Sequence, residues 1–257
     1  MLRKVWTLIR TILQRMTSDD VAPRMRLLRQ LGKIVFPEYR LHTPHLDWWS
    51  DDWFNQYLKR FDEMNRYNFD RRWNLFQLCR LTHAVEGDTA ECGVFKGSSS
   101  YLIASCNTQA AISGKSHHGF DSFQGLSTPS DMDGSHWKAG ALETPLQEAE
   151  ENLRELDAKL YPGWIPERFP EVEDRTFSFV HIDVDLYDPA KDSLEFFYPR
   201  MAEDGIILMD DYGLGTCPGV TAAGDEFFSD KPEKVVSFSV GAGYIIKGKS
   251  TANLKFN

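Results

Sequence analysis

With 257 residues, 42% of them apolar and 26% charged, the chain has the composition of one large globular domain, or one domain with an extension, which excludes disorder and fibrous repeats. Lys and Arg number 29 against 38 Asp and Glu, a net charge of −9, so no nucleic acid is expected as a partner. Cys79, Cys92, Cys106 and Cys217 form neither a CxxC pair nor a Cys/His cluster, which points to reduced thiols in a cytoplasmic protein rather than to disulfides or zinc.

Leu2, Val5, Trp6, Ile9, Ile12, Leu13 and Met16 recur at helical spacing, with Arg3, Lys4, Arg10 and Arg15 mostly on the other face. The opening is thus an amphipathic helix, read as an arm packed on its own fold or on a second subunit, with an anionic membrane surface as the lesser alternative. Arg10 and Arg15 interrupt what would have to be an apolar signal core, and no run approaches the roughly 20 apolar residues of a bilayer span, so neither secretion nor stable membrane insertion is expected. Residues 44–83 are rich in aromatics. Trp53, Tyr57, Phe61 and Met64 repeat at helical steps, as do Trp73, Phe76 and Leu81, which predicts two helices whose aromatic stripes are core or pocket wall. Residues 1–83 therefore read as a helical arm and cap, and 84–257 as the main domain.

From residue 88 short apolar runs alternate with helical stretches, the pattern of a parallel α/β sheet with helices on both faces. Strands are expected near Asp88–Gly93, Ser116–Phe120, Lys159–Pro162, Phe177–Val184 and Gly205–Met209. Val235–Val240 and Tyr244–Lys247 flank Gly241-Ala242-Gly243 as a closing antiparallel hairpin. Residues 124–145 carry Pro129, Gly134, Gly140 and Pro145 with little apolar periodicity and read as a long loop, a candidate lid.

Three constellations carry chemistry. In Glu91-Cys92-Gly93-Val94-Phe95-Lys96-Gly97-Ser98 a strand passes through a glycine turn into a helix, where close backbone approach and the free N–H groups at Gly97 and Ser98 suit a negatively charged group; a tight turn without ligand is the plain alternative. Asp121 follows the next strand, where an acid can accept both hydroxyls of a ribose, or simply close an Asx turn. Two further apolar strands end in acids, Asp183 with Asp185 and Asp210 with Asp211. Side-chain alternation turns the first pair to one face, and C-terminal strand ends line the crevice of an open α/β sheet. Four carboxylates meeting there require a cation between them, and an all-oxygen donor set favours a hard ion such as Mg²⁺. Asp188-Pro189 reads as a helix cap opening a helix over Ala190–Arg200, and His181 as a satisfied core histidine outside the chemistry.

The stretches GDTAECGVFKGSSS, FDSFQGL, PGWIPERFP, HIDVDLYDPAKDSLEFFYPRMAEDGIILMDDYG and CPGVTAAGDEFF resemble the macrocin O-methyltransferase (TylF-like) family of class I S-adenosylmethionine-dependent methyltransferases, over about residues 70–248. The resemblance implies a Rossmann-like sheet of seven strands, mostly parallel, with an N-terminal helical extension. It implies a Mg²⁺-dependent O-methyltransferase acting on a hydroxyl of a sugar or vicinal diol in a small-molecule acceptor, and a homo-oligomer. Carried over residue by residue, Glu91 and Gly93 border the methionine part of the cofactor, with Gly97 and Ser98 at the helix start. Asp121 holds its ribose, and Ser122, Gly163 and Trp164 flank the adenosine. Asp183, Asp210 and Asp211 would be the Mg²⁺ ligands, Asp183 also bordering the cofactor, and Asp185 the general base. Lys96 with Ser98, in place of the more usual Arg-Gly-Gly, the short stretch before Lys159 and the lid sequence STPSDMDGSHWKAG depart from the family, so the acceptor stays open, with His136 and Trp137 as lid candidates. Two other readings stand beside it: a metal-dependent glycosyltransferase using the Asp183-x-Asp185 motif, and an inactive methyltransferase-like scaffold.

Overall fold

The computed structural model describes residues 6–7, 9–13, 51–63 and 68–252 of the chain. These fall into two compact units, 1–56 and 57–257. In the first, residues 9–13 are helical with Ile9, Arg10 and Leu13 exposed, as is Trp6; most of the expected arm and Met64 lie outside the described residues. Helix α1 (Asp52–Arg60) starts on the Asp51 carboxylate, which accepts the Phe54 N–H at 2.8 Å.

Helix α2 (Phe69–Leu81) follows, and its buried face is Arg72, Leu75, Leu78 and Cys79, while Trp73 and Phe76 are only half-buried. A fully charged residue thus sits on the helix stripe that packs inward. Then come β1 (Asp88–Cys92), α3 (Ser98–Asn107), β2 (His117–Asp121), α4 (Leu146–Leu153), β3 (Ala158–Pro162), β4 (Phe177–Ile182), α5 (Tyr187–Phe197), β5 (Met201–Met209), α6 (Pro218–Phe227), β6 (Val236–Ser237) and β7 (Gly243–Ile246).

The seven strands form one sheet in the order β3-β2-β1-β4-β5-β7-β6. All pairs from β3 to β5 are parallel; β7 runs antiparallel to both β5 and β6, as the glycine-flanked hairpin predicts. Between β1 and β4 the strand order reverses, and such a switch point leaves a crevice at the C-terminal strand ends. On one face Val180, Ile182, Ala190, Leu194, Val220 and Ala223 join β4, α5 and α6 in the main core cluster. On the other, Glu91 and His181 lie beneath α3, whose Ser100 hydroxyl donates to the Glu91 carboxylate.

Two local expectations change. Strand β4 ends at Ile182, two residues early, so Asp183 and Asp185 belong to a turn rather than to an alternating strand. Asp185 there has φ 60°, a left-handed conformation that Asp tolerates better than most residues. Helix α5 begins at Tyr187 and ends at Phe197, which puts Asp188 inside its first turn and not at its cap. The capping group comes instead from the loop before α4: the buried Asp133 carboxylate accepts the Tyr187 N–H at 2.6 Å. Gly219 makes this possible, since a Cβ at that position would collide with Asp133 Oδ1.

Candidate active site

The strand ends bring most of the predicted residues to one cavity of about 330 Å³. Gly93, Val94, Phe95 and Ser98 form its floor at the β1–α3 turn, with Asp121 and Ser122 beside them and Trp164 and Ile165 as an apolar wall. Gly93 has φ 88°, and a Cβ there would run into the carbonyl oxygen of Asp183, so only glycine lets the end of β1 pass the end of β4 this closely. Glu91, Gly97 and Gly163 do not line the cavity. Glu91 is sealed beneath it, and Gly97 is the left-handed residue from which α3 starts.

Asp121 ties the turns together. Its Oδ2 accepts the Val94 and Phe95 N–H groups, both at 2.8 Å, and Oδ1 accepts the Phe123 N–H at 2.7 Å. The Asx turn and the ligand-facing position coexist, because each carboxylate oxygen keeps a second lone pair for a hydroxyl. Burial raises this carboxyl above its ordinary value although all three N–H groups oppose the shift.

At the ends of β4 and β5 the four acids meet as expected, but the chain itself supplies positive charge among them. From α2, Arg71 Nη2 donates to the Asp210 carbonyl at 2.9 Å, to Asp211 Oδ1 at 3.0 Å and to Asp210 Oδ2, and lies 4.0 Å from Asp183 Oδ1. Arg72 lies 3.5 Å from Asp210 Oδ2, 3.7 Å from Asp183 Oδ2 and 3.7 Å from Glu63 Oε1. His181 is not a bystander. Its Nδ1 is 2.7 Å from Glu91 Oε1 and its Nε2 is 3.4 Å from Asp210 Oδ1, so the imidazole bridges the end of β1 and the acid cluster.

The charges divide the acids. Burial alone would raise Asp210, but Arg71, His181 and Arg72 hold it well below the usual carboxylate range. Burial and the Asp210 and Asp211 charges push Asp183 well above that range, and burial with Asp211 pushes Asp185 up to about 8. Burial works against the charged form of His181, yet its bonds to Asp210 and Glu91 prevail and raise it to about 10. Asp185 is also held in place: its N–H donates to Asp211 Oδ2 at 3.2 Å, and the buried Cys217 thiol donates to its Oδ1 at 3.4 Å. The loop over residues 124–145 reaches this group through Trp137, whose indole N–H donates to Cys217 Sγ at 3.3 Å; Trp137 and Leu142 line the cavity, whereas His136 is exposed and does not.

Two sets of donor atoms converge closely enough for one ion, His181 with Asp183 and Asp210, and Asp185 with Asp211 and Cys217. The carboxylate oxygens in them suit Mg²⁺, and Asp210 Oδ1 has only the 3.4 Å contact with His181 Nε2, but the expected trio Asp183, Asp210 and Asp211 is divided between the two sets, each of which adds a nitrogen or sulfur donor. Arg71, Arg72, His181, Cys217 and Asp133 are the members of the site that motif reading passes over. Arg72 carried a signal, a charge on the apolar stripe three residues before Leu75, and His181 shares the strand face that leads to Asp183.

A sequence model of the macrocin-O-methyltransferase (TylF) family matches residues 71–234. Over 149 residues the chain is 28% identical to 8-demethyl-8-(2,3-dimethoxy-alpha-L-rhamnosyl)-tetracenomycin-C 4'-O-methyltransferase of Streptomyces olivaceus, covering 53% of this chain and 57% of the relative. Over 156 residues it is 28% identical to demethyldecarbamoylnovobiocin O-methyltransferase of Streptomyces niveus, covering 56% and 58%. The match thus spans a little over half of each of these relatives. The fold is shared with the O-methyltransferase NovP, at TM-score 0.60 and 22% identity over 70% of this chain and 81% of that one. It is shared also with the calicheamicin methyltransferase CalS11, at TM-score 0.65 and 19% identity over 91% and 95%.

Proposed function

The chain belongs to the macrocin O-methyltransferase family, and from that premise we propose that it transfers the methyl group of S-adenosylmethionine to a hydroxyl of a small molecule, a sugar or vicinal diol of a natural product. The observation that carries this reading is a single cavity that joins the glycine turn and Asp121 to the acids at the ends of β4 and β5. The name of the Streptomyces olivaceus relative describes a rhamnosyl-bearing acceptor methylated at a 4' oxygen, which favours the sugar class. Eight carboxylic acids and two arginines line the cavity, a field that favours a cationic sulfonium over an anionic ligand.

When bound, S-adenosylmethionine supplies a methyl group activated for in-line displacement. Gly93 would border its methionine part, with Glu91 supporting that turn from beneath the cavity; Gly97 and Ser98 would present the start of α3, Asp121 would hold the ribose, and Ser122 and Trp164 would flank the adenosine, with Gly163 preceding Trp164 outside the cavity lining. Asp183, next to the cofactor, would hold Mg²⁺ with Asp210 and Asp211, and the ion supplies Lewis acidity toward a hydroxyl. Asp185, positioned by Asp211 and Cys217, takes the hydroxyl proton. Trp164, Trp137 and Leu142 supply apolar surface beside the reacting centre, and the cavity walls would orient the acceptor, a contribution that orientation effects make large. Residues 84–257 would form the catalytic domain with 124–145 as its lid and 1–83 the arm and cap, although residues 57–83 belong to the same compact unit as the site they help to line.

All four cysteines are free thiols, which suits a cytoplasmic protein. The exposed Trp6, Ile9 and Leu13 suit the burial of the arm in a homo-oligomer. No described helix is long and apolar enough to cross a membrane.

Isothermal titration of S-adenosylmethionine and S-adenosylhomocysteine, in Mg²⁺ and in EDTA, tests the reading. Binding that persists in EDTA is expected, since the cofactor contacts assigned above other than Asp183 lie apart from the acid cluster. Absence of binding in both buffers would end the methyltransferase reading and return the Asp183-x-Asp185 motif to nucleotide-sugar binding, which a thermal-shift series with UDP-sugars would then report.

A further inference from the structure

We infer that Arg71 is an internal counter-cation of the acid cluster which a divalent ion must displace, so that the guanidinium and the ion compete for the carboxylates of Asp210 and Asp211. The inference rests on the proposed assignment of those acids as metal ligands and adds what this chain does when the ion is absent.

The contact is one-sided. Arg–carboxylate pairs are frequently held by two parallel N–H bonds in a fork, the stronger and more specific arrangement. Arg71 instead engages Asp210 Oδ2, Asp211 Oδ1 and the Asp210 carbonyl through Nη2 alone, while its buried Nε has no hydrogen-bond partner among the described residues. The two carboxylate oxygens it covers belong to the residues that would face the ion. A guanidinium N–H and a divalent ion have no room on the same side of those oxygens, and as like charges they repel strongly in a site this dry.

Arg72 behaves differently. It reaches the acids at 3.5–3.7 Å, is held from behind by Glu63, and its side chain is 8% exposed against 17% for Arg71. Arg71 therefore has the shorter path to water along its own flexible stem, and Arg72 keeps compensating Asp183 and Asp210 after Arg71 has left. Without Arg71 or an ion, Asp210 and Asp211 would face each other with only Arg72 and His181 nearby. That need explains why a cation is built into α2 at all.

Mn²⁺ binding followed by electron paramagnetic resonance, with the wild type, Arg71→Met and Arg71→Lys, reads the competition directly. Arg71→Met is expected to bind Mn²⁺ at least tenfold more tightly than the wild type, with Arg71→Lys between them; equal or weaker binding overturns the inference. Should Arg71→Met fail to fold, the wild type alone decides. Phenylglyoxal labelling of Arg71, followed by peptide mass spectrometry, is expected to accelerate severalfold when Mg²⁺ replaces EDTA, and an unchanged or slower rate overturns the inference. If no variant binds Mn²⁺ and labelling ignores Mg²⁺, the metal assignment falls together with the competition, whereas titration with S-adenosylmethionine still reports the methyltransferase reading on its own.

Discussion

At the ends of β1 and β2 the polar groups are answered locally: Asp121 takes three backbone N–H groups, the farthest of them 27 residues away in the chain. At the ends of β4 and β5 the carboxylates are answered by side chains from other elements, Arg71 reaching Asp210 across 139 residues. The first end is satisfied by neutral donors that have no reason to move. The second is held by charges that compensate one another, and buried charges of this kind stabilise only while every partner is present. One region is thus a fixed seat, and the other a set of groups whose balance a ligand can alter.

Substitutions at the two ends should separate them. The largest effect is expected from Asp185→Asn, which fits the left-handed backbone but takes no proton: turnover with an identified acceptor should fall by about 10²–10⁴ while S-adenosylmethionine affinity, measured calorimetrically, stays within about twofold. Unchanged turnover would remove Asp185 as the base. Asp210→Ala comes next, because it strands Arg71, Arg72 and His181 without their shared anion; a loss of about 3–5 kcal/mol in chemical denaturation is expected, and a neutral result would mean that water already screens the cluster. Asp121→Ala leaves three N–H groups to find water and should cost about 1–3 kcal/mol. Its sharper signature is weakened S-adenosylmethionine binding, which Asp210→Ala should share far less. The smallest change is expected from Asp133→Ala, where the cap of α5 is lost at about 1 kcal/mol. A larger loss there would show that the lid supports the acid cluster as well as covering it.

Much of this architecture follows from patterns short enough to read along the chain. Short apolar runs between helical stretches located the sheet strands, the glycines around Ala242 located the hairpin, and the acids at Asp121, Asp183 and Asp210 marked the strand ends that form the crevice. Errors arose where one element is completed by another. Asp188 has the sequence of a cap, yet Asp133 performs the capping of α5 because Gly219 leaves room for its carboxylate. His181 looked like a filled core position, and it is buried and bonded, but its partners are Glu91 and Asp210, which makes it part of the electrostatics of the site.

The sequence by itself determined the class of sheet, the positions of its strand ends and the carboxylates that gather there, because hydrophobic period and turn chemistry act between near neighbours. Only the tertiary structure decided what neutralises those carboxylates. A cation was required in either case, and nothing local distinguishes an ion from solution from an arginine carried in on a helix more than a hundred residues upstream. Packing of α2 beside the crevice set Arg71 and Arg72 against Asp210, since burying four acids without compensating charge costs more than burying two guanidinium groups with them.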